Sequence, residues 1–339
     1  MNLEKNAWNP DHISFKEEGN MAIIEPLDTI TKLDADRLFE KTDYIRRNLH
    51  FITTKKNRRY DIAGIIGLGK STLPKIMHLY MDAKEFNEKT NNLILQLFYH
   101  DMITYSFPFQ FFVAEDREKL ILDAKQSKSS AIIDRSPYED LIFSQLLHEN
   151  GAMSQKQLEI VTDAIKSKTK QVGHSDVLIW LQGSPEVAYD RIQRRGIKYE
   201  AEGKNRPLTK AETNELIGIR DLFLELVKKY AESETNNYLE KHEQAGIPTE
   251  IKAGGISLEY LRNLNKKYNQ EFENILQTVD FDGVLVKINV DDVDGIDKRI
   301  DFNSQVAIME KIMAASLLSL HRQGHKIEKN SKEDICSIK

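Results

Sequence analysis

The sequence contains few of the residues and segments that would place a protein outside the cell or in a membrane. There is one cysteine, Cys336, so an intramolecular disulfide bond is excluded. No apolar run is long enough to span a bilayer, and the first residues lack the apolar segment of a signal peptide. We therefore expect a cytoplasmic protein with no membrane partner.

Neither sign of charge is in large excess. The 48 Lys and Arg residues and 53 Asp and Glu residues give a formal net charge of −5 at pH 7. Such a chain has no overall attraction for nucleic acid, so nucleic acid is not an expected partner, and any bound anion needs a local positive site. Hydrophobic residues make up 40% of the 339 positions, which is an ordinary proportion for a globular protein with a sizeable core.

Short apolar runs alternate with helical patterns from about residue 60 onward. The runs at 131–133, 177–181 and 284–288 are typical of strands that are buried on both faces. A helix is predicted from 185 to about 195, because Ser184 suits the N-cap and Pro185 suits the first helical position. This alternation predicts an α/β fold in which a parallel sheet carries helices on both faces.

A glycine-rich segment fits the phosphate-loop pattern G-x-x-x-x-G-K-[ST], between a short polar strand at 60–63 and a helix predicted over about 70–79. The residues of this phosphate loop that we expect to bind nucleotide are Gly64, Gly67, Gly69, Lys70, Ser71 and Thr72. Glycines let backbone N–H groups surround phosphate oxygens, Lys70 supplies a positive charge, and Ser71 is a candidate Mg²⁺ ligand. The motif predicts a P-loop NTPase fold with ATP and Mg²⁺, although it is shared by many functions.

Charged residues stand at two further places where a phosphate could be bound. Asp134 and Arg135 directly follow the strand at 131–133, and ligands of open α/β sheets lie beyond such strand ends. Asp134 could hold Mg²⁺ and Arg135 could contact the transferred phosphoryl group, or both could lie on a solvated strand end. Arg191 and Arg195 share one helix face, so an anion between them would offset a repulsion of roughly 0.2–0.5 kcal/mol. A solvated basic face is the alternative.

Three segments together resemble the deoxyribonucleoside kinases, in particular the bacterial deoxyadenosine and deoxyguanosine kinases. They are 105–112 (YSFPFQFF), similar to the substrate-site helix of the family, 134–140 (DRSPYED), similar to its D/E-R-S segment, and 180–196, similar to its strand and lid. Residues 256–272 and 284–294 resemble the closing helix, strand and acidic loop. The resemblance implies transfer of the ATP γ-phosphate to the 5′-hydroxyl of a deoxynucleoside, and it implies a homodimer.

Matching positions suggest roles for individual residues. Glu88 matches the general base, which would accept the proton of the 5′-hydroxyl, with Lys70 and Arg135 as its catalytic companions. The family usually has Glu-Pro at this point, whereas this chain has Glu88-Lys89, so Glu85 is kept as a second candidate. The resemblance further assigns Tyr99 and Glu200 to the sugar 3′-hydroxyl, Gln110, Arg117 and Asp140 to the base, and Asp292 to the adenine of ATP.

The base-site residues favour a purine, with deoxyadenosine first. The amide of Gln110 has a donor and an acceptor for a base edge, and Arg117 and Asp140 are expected to form an ion pair beside it. That pair would fill the space that a thymine methyl group needs, and a ligand that leaves such buried polar groups unpaired is rejected strongly. Deoxycytidine is the expected second substrate, and deoxyguanosine stays open.

Two segments have no counterpart in the bacterial enzymes. We expect an N-terminal extension over 1–55, a kinase-like domain over 56–320 that is interrupted by a helical insert at 201–255, and a polar C-terminal tail over 321–339. Thr209 and Glu212 form a capping-box pattern at the start of the insert helix. In the lid, Ile197 stands where the family has an arginine, for which Arg194 could substitute.

Two alternatives to a deoxynucleoside kinase remain open. One is another P-loop nucleoside or nucleotide phosphotransferase, which would need a second phosphate site for its acceptor. The other is a catalytically weak, kinase-like subunit that binds nucleotide and regulates a partner, an idea motivated by Lys89, Ile197 and the two added segments.

Overall fold

The computed structural model describes residues 14–26, 32–87, 92–200, 206–251, 256–291, 301–324, 327–330 and 335–338. Its helices are α1 (Ala35–Lys55), α2 (Leu73–Met77), α3 (Asn92–His100), α4 (Met102–Gln126), α5 (Glu139–Glu149), α6 (Gln155–Val172), α7 (Pro185–Glu200), α8 (Lys210–Tyr230), α9 (Thr235–Ala245), α10 (Leu258–Thr278) and α11 (Phe302–Arg322). Its strands are β1 (Lys16–Glu18), β2 (Met21–Ile24), β3 (Arg59–Ala63), β4 (Lys84–Phe86), β5 (Ala131–Asp134), β6 (Val177–Gln182), β7 (Arg206–Pro207), β8 (Glu250–Ile251), β9 (Val284–Asn289), β10 (Ile327–Asn330) and β11 (Ile335–Ile338).

Among the described residues, seven strands form the main sheet in the order β1-β2-β9-β6-β3-β5-β4. All neighbours pair in parallel except β1 and β2, which form an antiparallel hairpin at one edge. Neighbouring residues of a strand point to opposite faces of a sheet. The Tyr60 hydroxyl meets Ser316 of α11, whereas Trp180, which pairs with Ala63, packs against Tyr268 of α10. Helices therefore cover both faces, which confirms the predicted P-loop α/β fold.

The polar strand before the phosphate loop is a central strand of this sheet. β3 pairs with β5 on one side and with β6 on the other, and all five of its residues are buried. Asp61 is fully buried, and the Arg59 guanidinium donates a hydrogen bond to it. Burial raises the pKa of Asp61, while Arg59 opposes that rise. The internal ion pair lets a charged sequence occupy a position where apolar residues are usual.

Several elements differ in length from the sequence prediction. The helix after the phosphate loop covers only Leu73–Met77, instead of about 70–79, and Pro74 lies in its first turn, where a missing N–H is tolerated. Helix α7 continues to Glu200 rather than ending near 195. The segment expected as an N-terminal extension supplies β1, β2 and α1, and β2 joins the main sheet beside β9. The segment expected as a polar tail contains the β10–β11 hairpin.

The described part of the insert contains the helix expected for it, a second helix and a short ladder. Thr209 caps α8 through the predicted capping box with Glu212, and the next helix of the segment is α9. Strands β7 and β8 pair near the two ends of the insert. Within the described part of the chain, no helix is both long enough and apolar enough to traverse a bilayer.

Candidate active site

The phosphate loop lies against the end of β6 and the first turns of α7. Gly64, Gly67 and Gly69 have φ angles of 140°, 94° and 94°, which residues with side chains rarely adopt. A Cβ atom on Gly64 would stand 2.6 Å from the carbonyl oxygen of Leu181, and one on Gly67 would stand 2.5 Å from that of Ala188. Glycine is therefore required by both the conformation and the available space.

Lys70 is folded onto its own loop. Its Nζ donates to the carbonyl oxygen of Gly64 and, at 3.2 Å, to that of Ile65. The same atom lies 4.0 Å from Oε1 of Glu139, and the side chain is nearly buried. Ser71, at the end of the loop, is exposed, and Thr72 is half-buried.

Glu139, the first residue of α5, joins three parts of the site. Its Oε1 accepts hydrogen bonds from the backbone N–H of Gly64 at 3.1 Å and from the Tyr268 hydroxyl at 2.5 Å. Its Oε2 accepts one from the backbone N–H of Ser136 at 2.9 Å. The side chain is fully buried. No local pattern in the sequence indicates this role, because Tyr268 lies 129 residues further along the chain.

Asp134 and Arg135 lie beside the phosphate loop, where the strand order places them. Asp134 ends β5 and pairs with Ile62 of β3, two positions before Gly64. Arg135 has a φ of 78°, a strained conformation for a residue with a side chain, and such strain is concentrated at functional sites. Its guanidinium lies 5.9 Å from the centre of the Phe143 ring.

Two tyrosines lie near Arg135. Burial raises the pKa of Tyr99, from α3, and of Tyr260, from α10. The positive charge of Arg135 opposes part of this rise in both tyrosines. Tyr99 nevertheless keeps about half of its surface exposed, at 52%. The structure thus brings Tyr99, which the sequence assigned to the sugar, close to Arg135, and it adds Tyr260, which sequence reasoning missed.

The three residues assigned to the base are buried together between α4 and α5. Arg117 forms two hydrogen bonds of 2.9 Å to the two carboxylate oxygens of Asp140, as the sequence predicted. Gln110 lies seven residues before Arg117, hence on the same face of α4. The Ser144 hydroxyl lies 3.1 Å from Oε1 of Gln110 and 2.7 Å from the carbonyl oxygen of Asp140. The Ser144 hydroxyl therefore lies between Gln110 and the backbone of Asp140, the residue that carries the ion pair.

Of the arginines of α7 whose side chains the structure describes, Arg191 lies on the buried side of the helix and Arg194 does not. Arg191 donates to the carbonyl oxygen of Val290 at 3.2 Å and is 8% exposed. Arg194, in contrast, is exposed and forms an ion pair with Asp190 one turn earlier. Asp291, the described residue of the acidic loop, accepts the backbone N–H of Ser184 with both oxygens at 2.8 Å.

Other predicted residues cannot be placed in this geometry. Glu88 and Asp292 lie outside the described residues, and so do the side chains of Arg195 and Glu200, whose backbone belongs to α7. Glu85 lies inside β4, and its carboxylate is 3.6 Å from Nε2 of His78.

The aromatic pair of the substrate-site helix packs against the insert. Phe111 is stacked on Tyr230 of α8 with ring centres 4.8 Å apart, and Phe112 approaches Phe223 at 6.2 Å. Phe143 on α5, three residues after Asp140, is half-buried and belongs to the segment that contains the ion pair. The site therefore combines a glycine-rich phosphate loop, charged residues at a strand end and a buried polar cluster on α4 and α5, the helix that also carries Phe143.

Comparison with known proteins identifies relatives of this chain. A family model described as deoxynucleoside kinase matches residues 61–214. The deoxyadenosine/deoxycytidine kinase of Bacillus subtilis (strain 168) is 34% identical over 149 residues, covering 43% of this chain and 69% of that protein. The deoxyadenosine kinase of Dictyostelium discoideum is 25% identical over 209 residues, covering 60% and 82%. A solved structure of deoxyadenosine kinase from M. mycoides with bound dATP has a TM-score of 0.47 at 20% identity and covers 75% of this chain and 98% of its own.

Proposed function

This chain belongs to the deoxynucleoside kinase family, which makes it an ATP-dependent phosphotransferase with a nucleoside substrate, and on that premise we propose that it phosphorylates the 5′-hydroxyl of purine deoxynucleosides, deoxyadenosine first. The observation that carries the proposal is the buried Arg117–Asp140 pair with Gln110 beside it. In this pocket the two hydrogen bonds from Arg117 use one lone pair on each oxygen of Asp140. The other lone pairs can accept an exocyclic amine of the base.

The pocket disfavours thymidine for two reasons. The Arg117 guanidinium is held rigidly by two bonds to Asp140, so it cannot withdraw from a thymine methyl group. Thymine also has no exocyclic amine for Asp140. Phe143 is the aromatic ring that we propose stacks on the base, since it follows Asp140 by one helical turn and is half-buried.

The phosphate side of the site has the groups that phosphoryl transfer needs. The phosphate loop, with Gly67, Gly69 and Thr72, surrounds the phosphates of ATP, and Lys70 leaves the carbonyls of its own loop to reach the β- and γ-phosphates. Arg135, Arg191 and Arg195 neutralise charge on the transferred group. Ser71 and Asp134 would hold Mg²⁺, which neutralises phosphate charge and orients the oxygens when it is bound.

Transfer itself is a displacement at phosphorus. The 5′-oxygen forms the new bond to the γ-phosphorus as the bond to the β,γ-bridging oxygen breaks, and ADP leaves. The proton of the 5′-hydroxyl passes to Glu88, which we propose as the general base. Tyr99 and Glu200 hold the 3′-hydroxyl of the sugar, and Asp292 contacts the adenine of ATP.

The test is kcat/KM for the four natural deoxynucleosides with ATP and Mg²⁺. We expect deoxyadenosine to rank first, deoxycytidine or deoxyguanosine next, and thymidine last. If thymidine ranked first, the assignment of Arg117 and Asp140 would be wrong, while the kinase activity would stand.

A homodimer is also proposed, because the family pairs through helices beside the D/E-R-S segment. Light scattering at micromolar concentration should give twice the 39.2 kDa chain mass. A monomeric mass would contradict the proposal.

A further inference from the structure

The backbone of the phosphate loop is hydrogen-bonded to a carboxylate that belongs neither to the loop nor to the end of β5. Glu139 accepts the backbone N–H groups of Gly64 and Ser136 and the hydroxyl of Tyr268, and it is fully buried. These contacts join the first glycine of the loop, the turn after β5 and the middle of α10. Because glycine has no Cβ, the backbone of Gly64 could adopt more conformations than that of any other residue type. The hydrogen bond from its N–H to Glu139 restricts this freedom.

A carboxylate is the group that this position requires. Oε1 faces the N–H of Gly64, and Oε2 faces the N–H of Ser136, so both ends of the side chain must accept. A glutamine has one oxygen and one NH₂ group. Either orientation of its amide would place an NH₂ group against a backbone N–H, which leaves a buried donor without its acceptor.

The carboxylate of Glu139 also lies close to the Lys70 side chain. Oε1 is 4.0 Å from the Lys70 ammonium, which is at present bound to the carbonyls of Gly64 and Ile65. We propose that Glu139 is a positioning residue that fixes the shape of the phosphate loop and the location of Lys70 for ATP, and that Tyr268 holds Glu139 in place from α10. This inference rests on the proposed function of the loop as the ATP site.

If Glu139 positions the phosphate loop, its loss should weaken the binding of ATP and leave the binding of the nucleoside nearly unchanged. The variants are Glu139→Gln and Tyr268→Phe, with Tyr138→Phe as the matched control. Tyr138 is also fully buried and its hydroxyl bonds to Nδ1 of His174 at 3.0 Å, away from Glu139. Each variant would be measured for kcat, for KM of ATP and of deoxyadenosine, and for the rise in Tm that each ligand causes.

We expect Glu139→Gln to raise the KM for ATP about tenfold and to reduce the Tm rise caused by ATP, with the KM for deoxyadenosine nearly unchanged. Tyr268→Phe should raise the KM for ATP about threefold, because it removes one of several bonds to Glu139. Tyr138→Phe should lower Tm in the absence of ligand without changing the KM for ATP. If Glu139→Gln does not fold, Tyr268→Phe against Tyr138→Phe decides the matter.

Three results would overturn the proposal. The first is an equal effect of Tyr268→Phe and Tyr138→Phe on the KM for ATP, and the second is an equal change in the KM values for ATP and deoxyadenosine. The third is a loss of ATP binding that occurs in Mg²⁺ and not without it, which would make Glu139 a metal ligand. Wild-type protein whose Tm rises with ATP but which phosphorylates no deoxynucleoside would contradict the proposed function and leave this test intact.

Discussion

At the scale of single residues, the general base is the assignment that mutation can test most directly. Glu88→Gln keeps the shape of the side chain but cannot accept a proton, so kcat should fall about 10²–10⁴-fold with little change in KM. Glu85→Gln is the matched control, because Glu85 lies within β4 and faces His78. Steady-state kinetics of both variants would decide between them. A large loss in Glu85→Gln with a nearly normal Glu88→Gln would transfer the role to Glu85.

A second residue-scale prediction concerns stability at mildly acidic pH. His242 in α9 is nearly buried, and among the described residues its Nε2 has no hydrogen-bond partner. Burial, and next the nearby Arg220 guanidinium, lower the pKa of His242 below its usual 6.5. The unfolded chain therefore takes up a proton near pH 6.5 that the folded chain does not. The free energy of unfolding should therefore have its full value above this pH and should decrease as the pH falls below it.

His242→Gln should weaken this pH dependence of the free energy of unfolding. The measurement is urea denaturation at several pH values between 5 and 8, compared between the variant and the wild type. Equal slopes for His242→Gln and wild type would show that His242 does not contribute. His174, whose pKa burial also lowers, would keep part of the wild-type dependence in the variant.

At the scale of elements, the insert packs against α4, the helix that contains the substrate-site segment 105–112. The Tyr105 hydroxyl of α4 donates to the carbonyl oxygen of Gly246 at 2.6 Å, and the Tyr230 hydroxyl of α8 donates to Glu115 of α4 at 2.6 Å. Phe223 of α8 is fully buried and lies near the rings of Tyr105 and Phe112. The insert thus packs along the same helix that carries Gln110 and Arg117.

Phe223→Ala should lower the free energy of unfolding by about 3–5 kcal/mol, the usual cost of removing a buried phenylalanine ring. Because α4 would shift toward the cavity, we also expect the KM for the deoxynucleoside to rise while that for ATP changes little. Leu222→Ala is a matched control, since Leu222 is the exposed neighbour on α8. Unfolding curves and KM values would test both effects. An unchanged nucleoside KM in Phe223→Ala would show that the insert does not influence the base pocket.

The sequence predicted the elements with the strongest periodicity and missed what depends on distant contacts. The strands at 131–133, 177–181 and 284–288 and the capping box of α8 were found because their signals are local. The short length of α2, Leu73–Met77, had no local signal in the sequence. The role of Glu139 could not be read in the same way, because one partner is a backbone amide and another comes from α10.

At the scale of the whole molecule, the β1–β2 hairpin covers the edge of β9 in the main sheet. Ala22, Ile23 and Ile24 of β2 pair with β9 and are buried. Lys287 of β9 forms ion pairs with Glu25 and with Glu273 of α10. The hairpin therefore covers a strand edge that would otherwise be open to pairing with other chains.

Removal of residues 1–25 should expose that edge and cause association between molecules. We expect the truncated protein to sediment at concentrations at which the full chain stays in the supernatant. The substitution Lys287→Met in the full chain is the control, since it breaks the ion pairs and keeps the strand pairing. A truncated protein that stays dispersed with an unchanged Tm would show that the hairpin is dispensable.

The position of this hairpin also affects how the chain can fold during its synthesis. Ribosomes release the chain from its N-terminus, yet Glu25 and its partner Lys287 are separated by 262 positions. At about 5–20 residues per second, β2 waits on the order of 10–50 s before β9 emerges. During that interval β2 can pair with β1, but its other edge, which later pairs with β9, has no neighbouring strand, so a newly made molecule is most exposed to misassembly before β9 is complete.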